Sequence, residues 1–217
     1  MTEPVHSWDD SYSGTPPWDI GHPQPAFVSL ADAGDITGRV LDIGCGTGEH
    51  ALLAAGLGLT ATGVDGAATA IELARRKAAE RNLAARFIVG DALDLGALGE
   101  QFDTVLDCGL FHVFDDDDRA RCVNSLRQAL PAGGRYFMLC FSDRQPPGFG
   151  PRRVRLEEIE AAFADGWRVD EIVPAAMEVT IDPAGVRAWR TAITRRLRPS
   201  SPSCVRVCSR RRVPVTR

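Results

Sequence analysis

The sequence predicts an α/β fold in which a mostly parallel, doubly wound sheet carries helices on both faces. Three observations predict it. Short apolar runs alternate with helical patterns, which is typical of parallel strands joined by crossover helices. Most turns between these runs contain Gly or Asp. The length of 217 residues gives room for one such domain.

The strongest helical pattern is AATAIELARRKAAERN, and the clearest buried strand is the apolar run at 135–141. Seven runs have the length and composition of strands. They lie at 39–43, 59–64, 86–89, 102–106, 135–141, 167–173 and 188–194. Helices are predicted at 25–33, 49–56, 67–81, 118–130 and 156–163. The expected result is a Rossmann-like, seven-stranded sheet. No periodicity is readable in 174–185.

Three regions are predicted along the chain. Residues 1–24 are rich in Pro, Gly, Trp and Asp, so they predict an irregular arm. Residues 25–198 form the α/β domain. Residues 199–217 hold five Arg and no acid, have no hydrophobic periodicity and are expected to be disordered.

Charge and cysteine content narrow the class of protein. The formal charge is −4, and without the Arg-rich tail the body has 20 basic against 29 acidic residues. Such an acidic body disfavours a broad nucleic-acid surface. The six cysteines form no CxxC pair, which favours free thiols in a reducing compartment. Because no run of about 18 apolar residues and no signal-peptide pattern is present, we expect a cytoplasmic protein without membrane contact.

The stretch VLDIGCGTGEH, at 40–50, indicates a ligand loop at a strand end. Its spacing is G-x-G-x-G, whereas the dinucleotide fingerprint requires G-x-G-x-x-G. Glu49 follows the last glycine directly, and an acid at a helix start disfavours a diphosphate there. A ligand with an amino group and no phosphate fits better, and Asp42 adds a second carboxylate.

Three successive strand ends carry an acid: Asp42, Asp65 and Asp91. Asp65 stands about 20 residues beyond the glycines, where a carboxylate takes ribose hydroxyls. Asp91 can accept a purine amino group. Each Asp alone is better explained by turn or N-cap chemistry. Their common register with the glycine loop favours a nucleoside site.

These motifs, together with FDTVLDCGLFHVF at 102–114, resemble those of class I S-adenosylmethionine-dependent methyltransferases over about residues 15–195. The resemblance implies S-adenosyl-L-methionine as cofactor, with Gly44, Cys45, Gly46 and Gly48 around its methionine part. It further implies roles for other residues at the strand ends. The ribose would contact Asp65 and Gly66, the adenine Asp91 and Ala92, and the methionine end Asp107 and Gly109.

The arm sequence WDDSYSGTPPWDIGHPQPAF is similar to that of the thiopurine S-methyltransferase and methyl halide transferase group, and of bacterial enzymes acting on quinols, phenols and heterocycles. The resemblance implies a lid over cofactor and acceptor, with Trp18 at the cofactor and Trp8 and Tyr12 at the substrate. Aromatic faces also suit a sulfonium cation. The alternative is that these rings only fasten the arm to the core.

The expected reaction is methyl transfer to an O, S or N nucleophile of a small molecule such as a phenol, thiol or heterocycle. The strand end DCGL at 107–110 lacks the N-P-P-aromatic pattern common in enzymes that methylate nucleobase amines, so nucleic acid is not an expected partner. We expect a monomer or weak homodimer. Alternatives are a nicotinamide-dependent oxidoreductase, or a non-catalytic protein that binds S-adenosylmethionine or RNA.

His112 is the candidate general base, since a near-neutral pKa suits a phenol; a packed histidine is the alternative. Phe111 and Phe149 are candidate substrate contacts. For Phe149 the alternative is that its loop is simply mobile and does not contact substrate. The acidic run at 115–118 suggests a helix cap rather than a metal site. No metal requirement is therefore predicted.

Overall fold

In the computed structural model, which describes residues 8–148 and 150–197, seven strands form one sheet in the order β3-β2-β1-β4-β5-β7-β6. All neighbouring pairs are parallel except those made by β7, which is antiparallel to β5 and β6. The strands are β1 (Arg39–Ile43), β2 (Thr60–Asp65), β3 (Ala85–Val89), β4 (Thr104–Cys108), β5 (Arg135–Phe141), β6 (Trp167–Val179) and β7 (Asp182–Arg195). The predicted fold class is confirmed.

Six helices accompany the strands in the described chain. They are α1 (Trp8–Ser11), α2 (Pro25–Asp32), α3 (Glu49–Gly56), α4 (Ala68–Glu80), α5 (Asp116–Ala129) and α6 (Leu156–Ala162). Helices α2, α3 and α4 pack on one face of the sheet, and α5 and α6 pack on the other. Both faces of the central strands are therefore buried, which explains why their sequences are continuously apolar.

Helix α4 shows how sequence and packing agree. Its alanines and long straight side chains favour helix, and its buried face is formed by Ala70, Ile71, Ala74 and Ala78. The small residues let the helix lie close to the sheet. At the start of α5, Asp115 accepts a hydrogen bond from the Asp118 backbone, so the acidic run caps this helix as predicted, although the helix begins two residues earlier.

The largest difference from the predicted fold is the segment 174–185. It continues β6 and β7 into a long hairpin, with register shifts near Val169 and Met177. Pro174 is tolerated there because β6 is the edge strand. The arm also differs from expectation, because it contains the short helix α1. The predicted tail at 199–217 lies outside the described residues.

Candidate active site

The candidate site lies at the carboxyl ends of β1 and β4. These strands are neighbours, but the chain leaves β1 toward α3 on one face and β4 toward α5 on the other. Such a switch in connection opens a crevice above the sheet, and ligands of open α/β folds bind there. The glycine loop, defined as residues 44–48, follows β1 into this crevice.

The glycine loop depends on backbone conformations that other residues rarely adopt. Gly44, Gly46 and Gly48 have φ values of +60°, +50° and +89°. At Gly48 a Cβ atom would lie 2.6 Å from the Phe87 ring and 2.9 Å from the Ala74 Cβ. The last glycine therefore permits close packing of α3 on β3 and α4, as well as the turn itself.

Asp42 lies beneath the glycine loop and is buried. Its Oδ2 accepts a hydrogen bond from the Ala51 backbone in α3, at 3.1 Å. Its Oδ1 is buried and has no hydrogen-bond partner among the described residues. Burial, reinforced by the nearby Asp65 and Asp107, raises the pKa of this carboxyl group. An ammonium group placed at Oδ1 would complete the hydrogen bonding of the buried acid.

Asp65, at the end of β2, holds the loop from the other side. Its Oδ2 accepts from the Gly46 backbone and its Oδ1 accepts from the Ala67 backbone, each at 2.8 Å. The carboxylate is half-buried and retains lone pairs for a ligand hydroxyl. The predicted ribose contact is thus sterically possible, and Gly66 beside it is exposed.

The remaining predicted cofactor residues lie around the same crevice. Asp91 is exposed and accepts a hydrogen bond from the Leu93 backbone at 2.8 Å, and Ala92 beside it is buried. Cys45 is buried, and burial raises the pKa of its thiol, so it contributes as a neutral side chain. Gly109, after β4, has a φ of +82°.

Asp107 corrects one prediction. Its side chain is fully buried and accepts hydrogen bonds from the Leu110 and Phe111 backbones and from the Tyr136 hydroxyl, the last at 2.6 Å. Burial raises the pKa of Asp107 to about 6. The carboxyl group therefore fixes the turn after β4 and is not available to a cofactor.

The arm, residues 8–24, closes over the glycine loop. The Tyr12 hydroxyl lies 2.8 Å from the position that a Cβ on Gly46 would take, and it accepts a hydrogen bond from the Trp18 indole at 3.1 Å. Trp18 packs edge-on against both Trp8 and Tyr12. The three aromatic residues predicted for the lid therefore form one cluster directly above the loop. Trp8 and Trp18 remain about half exposed.

Hydrogen bonds of Asp9 and Asp19 attach the arm to the rest of the molecule. The Asp9 carboxylate accepts from the Thr69 backbone at the start of α4, at 2.8 Å. Farther along, Asp19 accepts from the Thr47 hydroxyl, at 2.8 Å. Thr47 also accepts from Lys77 of α4, at 2.6 Å. The arm is thus attached both to α4 and to the glycine loop.

Glu49 belongs to the same network. It accepts hydrogen bonds from Lys77 at 2.8 Å and from both terminal nitrogens of Arg81, and these cations lower its pKa against the opposing effect of burial. Glu49 therefore does not by itself disfavour a diphosphate, because its charge is neutralised by Lys77 and Arg81. The glycine spacing is the stronger of the two observations.

The end of the arm is attached to the β6–β7 hairpin. Gln24 is buried, and its side-chain amide bonds both the carbonyl and the N–H of Glu178. Its own N–H donates to His50 Nε2 at 3.2 Å, and Thr180 donates to the Pro17 carbonyl. Gln24 is not a predicted site residue, and its position between Pro23 and Pro25 is the only local sequence feature that distinguishes it.

His112 and Phe111 follow β4 in a short 3-10 turn. His112 Nδ1 accepts a hydrogen bond from the Phe141 backbone at 3.0 Å, and burial, with the charges of Arg119 and Arg153, lowers the pKa of His112 to about 3. The structure contradicts a general base here. Phe111 is fully buried against Phe163, so the predicted substrate contact is wrong. Phe149 lies outside the described residues.

Within residues 8–148 and 150–197, no group of three or more His, Cys, Asp or Glu is arranged to hold a metal ion. Metal independence remains a prediction. We expect methyl transfer to continue unchanged after EDTA treatment and dialysis, and a loss of turnover that Mg²⁺ restores would contradict this expectation. The same part of the chain contains no helix long and apolar enough to cross a membrane.

The comparisons with known proteins agree with this geometry. A protein-family model described as a methyltransferase domain matches residues 40–134. A 2-heptyl-1-hydroxyquinolin-4(1H)-one methyltransferase of Mycobacteroides abscessus is 37% identical over 82% of this chain and 83% of that protein. A probable thiol methyltransferase of Arabidopsis thaliana is 29% identical over 70% of this chain and 69% of the length of that protein.

Solved structures show the same relationship. A chain from a study of the conversion of a disulfide bond into a thioacetal group during echinomycin biosynthesis superimposes with a TM-score of 0.80. It is 39% identical and covers 87% of this chain and 91% of its own. The magnesium protoporphyrin IX methyltransferase of Synechocystis, solved with bound cofactor or cofactor product, shares the fold with a TM-score of 0.63 at 18% identity.

The chain therefore belongs to the S-adenosylmethionine-dependent methyltransferases. It is an enzyme that transfers a methyl group from S-adenosyl-L-methionine to a small-molecule nucleophile. The residues fit this cofactor, because the buried and unpartnered Oδ1 of Asp42 beneath the glycine loop suits the ammonium of its methionine part.

Proposed function

We propose that the acceptor is a small aromatic molecule methylated on a hydroxyl or thiol group, in a pocket closed by the arm. The observation that carries the proposal is the pairing of two strand ends. Tyr12 of the arm rests on Gly46 after β1, and His112 Nε2 lies 3.3 Å from the position a Cβ on Gly109 would take after β4. Because β1 and β4 are adjacent, the side chains proposed to bind the methyl acceptor would lie next to the glycine loop.

In this proposal the chain's own residues bind, orient and exclude water. The cofactor supplies an electrophilic methyl group on a sulfonium sulfur, so alignment of the nucleophile is the main task of the protein. Gly44, Gly46, Gly48 and Cys45 would surround the methionine part, and Asp42 would pair with its ammonium. The nucleoside would contact Asp65, Gly66, Asp91 and Ala92, and the methionine end would contact Gly109.

The aromatic cluster of the arm would cover the acceptor. Burial raises the pKa of the Tyr12 hydroxyl, so this group stays neutral. Rings at Trp8, Tyr12 and Trp18 offer flat apolar surface on one side, and Met177 of the hairpin is buried near Gly109 on the other. A flat aromatic acceptor matches such a pocket. Known relatives named for a hydroxyquinolone, for thiols and for ubiquinone biosynthesis support this class.

The test is formation of S-adenosylhomocysteine with a panel of hydroxyquinolones, hydroquinones, simple phenols, thiophenols, aliphatic thiols, N-heterocycles and aliphatic alcohols. We expect turnover with aromatic hydroxyls or thiols and none with aliphatic alcohols. Turnover restricted to N-heterocycles would overturn the proposed acceptor class and leave the methyltransferase assignment intact.

A matched pair of variants tests the arm. Trp8→Ala is expected to raise the acceptor KM by roughly 3- to 30-fold, through the lost aromatic contact, with an unchanged cofactor Kd. Leu57→Ala is the control, since Leu57 is about as exposed as Trp8 but lies at the end of α3. Equal KM values for the two variants would remove Trp8 from the substrate pocket.

The proposal also covers the partners, the cellular compartment and the assembly state of the enzyme. The acidic body of the chain disfavours nucleic acid as a partner, and the four cysteines in the described chain are free thiols, which supports a reducing compartment such as the cytoplasm. We expect a monomer or weak homodimer, and light scattering across a protein concentration series tests this expectation.

A further inference from the structure

The protonation of His112 follows from its hydrogen bond. The Phe141 N–H donates to Nδ1 at 3.0 Å, and the Phe141 ring packs edge-on against the imidazole with centroids 4.8 Å apart. A backbone N–H can only donate, so Nδ1 is the acceptor and carries no proton. In a neutral imidazole the one proton then resides on Nε2.

Nε2 faces the crevice beside Gly109. It lies 3.3 Å from the position of an ideal Cβ on Gly109, and the Met177 methyl lies 3.7 Å from the same point. In residues 8–148 and 150–197, no group forms a hydrogen bond with Nε2. Gly109 has no side chain and a φ of +82°, so the turn places no side chain of its own against Nε2 of the buried His112. His112 thus presents an N–H donor to whatever occupies the acceptor pocket.

The charges around His112 favour an anion at this donor. Arg119 of α5 lies with its guanidinium over the Phe111 ring, and Arg153, before α6, lies 5.6 Å from the Phe141 ring centroid. Asp107 of β4 is engaged by the Tyr136 hydroxyl and two backbone donors. Glu158 of α6 is shared by Arg119, Arg152 and Arg155.

The basic side chains continue into an open cleft next to this site. The cleft, of about 480 Å³, is lined by Arg152, Arg153 and Arg155 with the acids Asp143 and Glu158. In the lining of this cleft arginines outnumber acids by three to two, whereas the body of the chain is acidic. Arg152 is also paired with Asp116 of α5. An imidazolium is therefore disfavoured at His112, and a negatively charged acceptor atom is favoured.

We propose that the enzyme takes its acceptor as a preformed anion, an aromatic oxide or thiolate, which His112 Nε2–H recognises and positions by a hydrogen bond. Arg153 supports the anion by its charge. This inference rests on the proposed function and narrows its substrate class. It selects phenols, N-hydroxy heterocycles and thiols that ionise near neutral pH, and it excludes alcohols.

The reaction balances without a base in the site. The acceptor gives its proton to water before it binds. Its ionised oxygen or sulfur then forms the bond to the methyl carbon, while the carbon–sulfur bond of the cofactor breaks and its electron pair stays on sulfur. The negative charge of the acceptor and the positive charge of the sulfonium are both consumed, and no proton moves during transfer.

Proton release on binding tests the inference without turnover. The wild-type enzyme, saturated with S-adenosylhomocysteine, is titrated calorimetrically with nitrophenols and thiophenols one pH unit below the pKa of each. Buffers of different ionisation enthalpy give the number of protons released. We expect close to one proton for each acceptor bound. No net release would overturn the inference, since it means that the neutral form binds or that the protein keeps the proton.

Two variants distinguish a donor from a base. His112→Gln retains an N–H donor, whereas His112→Leu removes it. We expect the acceptor Kd to rise about 10- to 100-fold in His112→Leu and by less than about 5-fold in His112→Gln. Equal weakening in both would overturn the donor role. The Gln variant also guards against a folding defect in the Leu variant, because thermal unfolding of each is measured in parallel.

The pH profile of kcat/KM gives an independent test. Below the acceptor pKa we expect a rise with pH whose midpoint moves with the acceptor across the phenol series and persists in His112→Gln. A midpoint that stays constant across acceptors and disappears in His112→Gln would restore His112 as a base. In that case the inference fails and the proposed function stands, whereas no turnover of any aromatic hydroxyl or thiol would sink the proposed function itself.

Discussion

The two halves of the proposed active site are built in different ways. The cofactor half, formed by the glycine loop and the ends of β1, β2 and β3, comes from residues 40–92. The proposed acceptor half is assembled from the arm, the turn after β4, the segment after β5 and the β6–β7 hairpin, and the arm and hairpin are far apart in the chain. The first half shapes its surface with backbone conformation, the second with side chains.

This difference explains what each half tolerates. A backbone cradle depends on a few positions where only glycine fits, and a substitution there affects fold and ligand together. An acceptor pocket made from separate segments depends on hydrogen bonds such as those of Gln24 to Glu178. Side chains between these attachments can change without affecting the sheet.

The largest effect is expected from Gly48→Ala. A Cβ there meets Phe87 and Ala74 at under 3 Å in a left-handed conformation, which costs roughly 2–6 kcal/mol of stability through strain and overpacking. Gly58→Ala is the matched control, because Gly58 has a φ of +78° and open space, so it should lose only about 1–2 kcal/mol. Urea unfolding measures both, and equal losses would contradict the close-packing argument.

Asp42→Asn should weaken cofactor binding more specifically, without disturbing the fold. The amide oxygen still accepts from Ala51, but the negative charge available to an ammonium is gone. We expect cofactor affinity to fall about 10- to 100-fold, with the acceptor KM little changed. Calorimetric titration with S-adenosylmethionine measures it, and Asp32→Asn, at an exposed position at the end of α2, is the control with unchanged affinity. Unchanged affinity would remove Asp42 from the site.

Asp107 links the two halves and gives a pH prediction. Its folded-state pKa, about 6, is above the unfolded value of roughly 4. The group therefore contributes stability that is fully present below the unfolded pKa and is lost as the pH rises through about 6. Relative to Asp107→Asn, the wild type should lose roughly 1–3 kcal/mol between pH 4 and pH 8. Urea unfolding of both proteins at several pH values measures this effect. A wild type that gains stability relative to Asp107→Asn as the pH rises would refute the prediction.

The smallest effect is expected in the arm. Asp9→Ala removes an acceptor for the Thr69 N–H at the start of α4, which should cost about 1 kcal/mol. The arm should then be cleaved faster by protease at 13–18. Asp10→Ala is the control, since Asp10 is exposed beside it. If both variants are cleaved at the wild-type rate, the Asp9 contact does not hold the arm.

The cofactor half could be predicted from sequence because its signals are local. β1 and α3 begin and end at the predicted residues, since the glycines mark both the strand end and the helix start. Asp107 could not be interpreted correctly, because its role depends on Tyr136 from another strand. His112 was located at the right strand end, but its protonation depends on a backbone N–H 29 residues later.

The acceptor half was predicted only in outline. The aromatic residues of the arm were identified because they interrupt a stretch built like a loop. The hairpin at 174–185 was missed, since an edge strand with a proline and register shifts has no regular alternation. Gln24, Lys77 and Arg153 act through tertiary contacts, and nothing in their neighbouring sequence marks them.

Thr47 joins the two halves through one hydroxyl group. It stands between Gly46 and Gly48 in the cofactor loop, and it bonds Asp19 of the arm and Lys77 of α4. A ligand that orders this loop must therefore also favour the closed arm, and thermodynamic linkage makes the effect reciprocal. Cofactor product should increase acceptor affinity, acceptor should increase cofactor affinity by the same factor, and Thr47→Val should abolish both increases. Release of the cofactor product would then be coupled to opening of the arm at this contact, which is one of several that hold the arm.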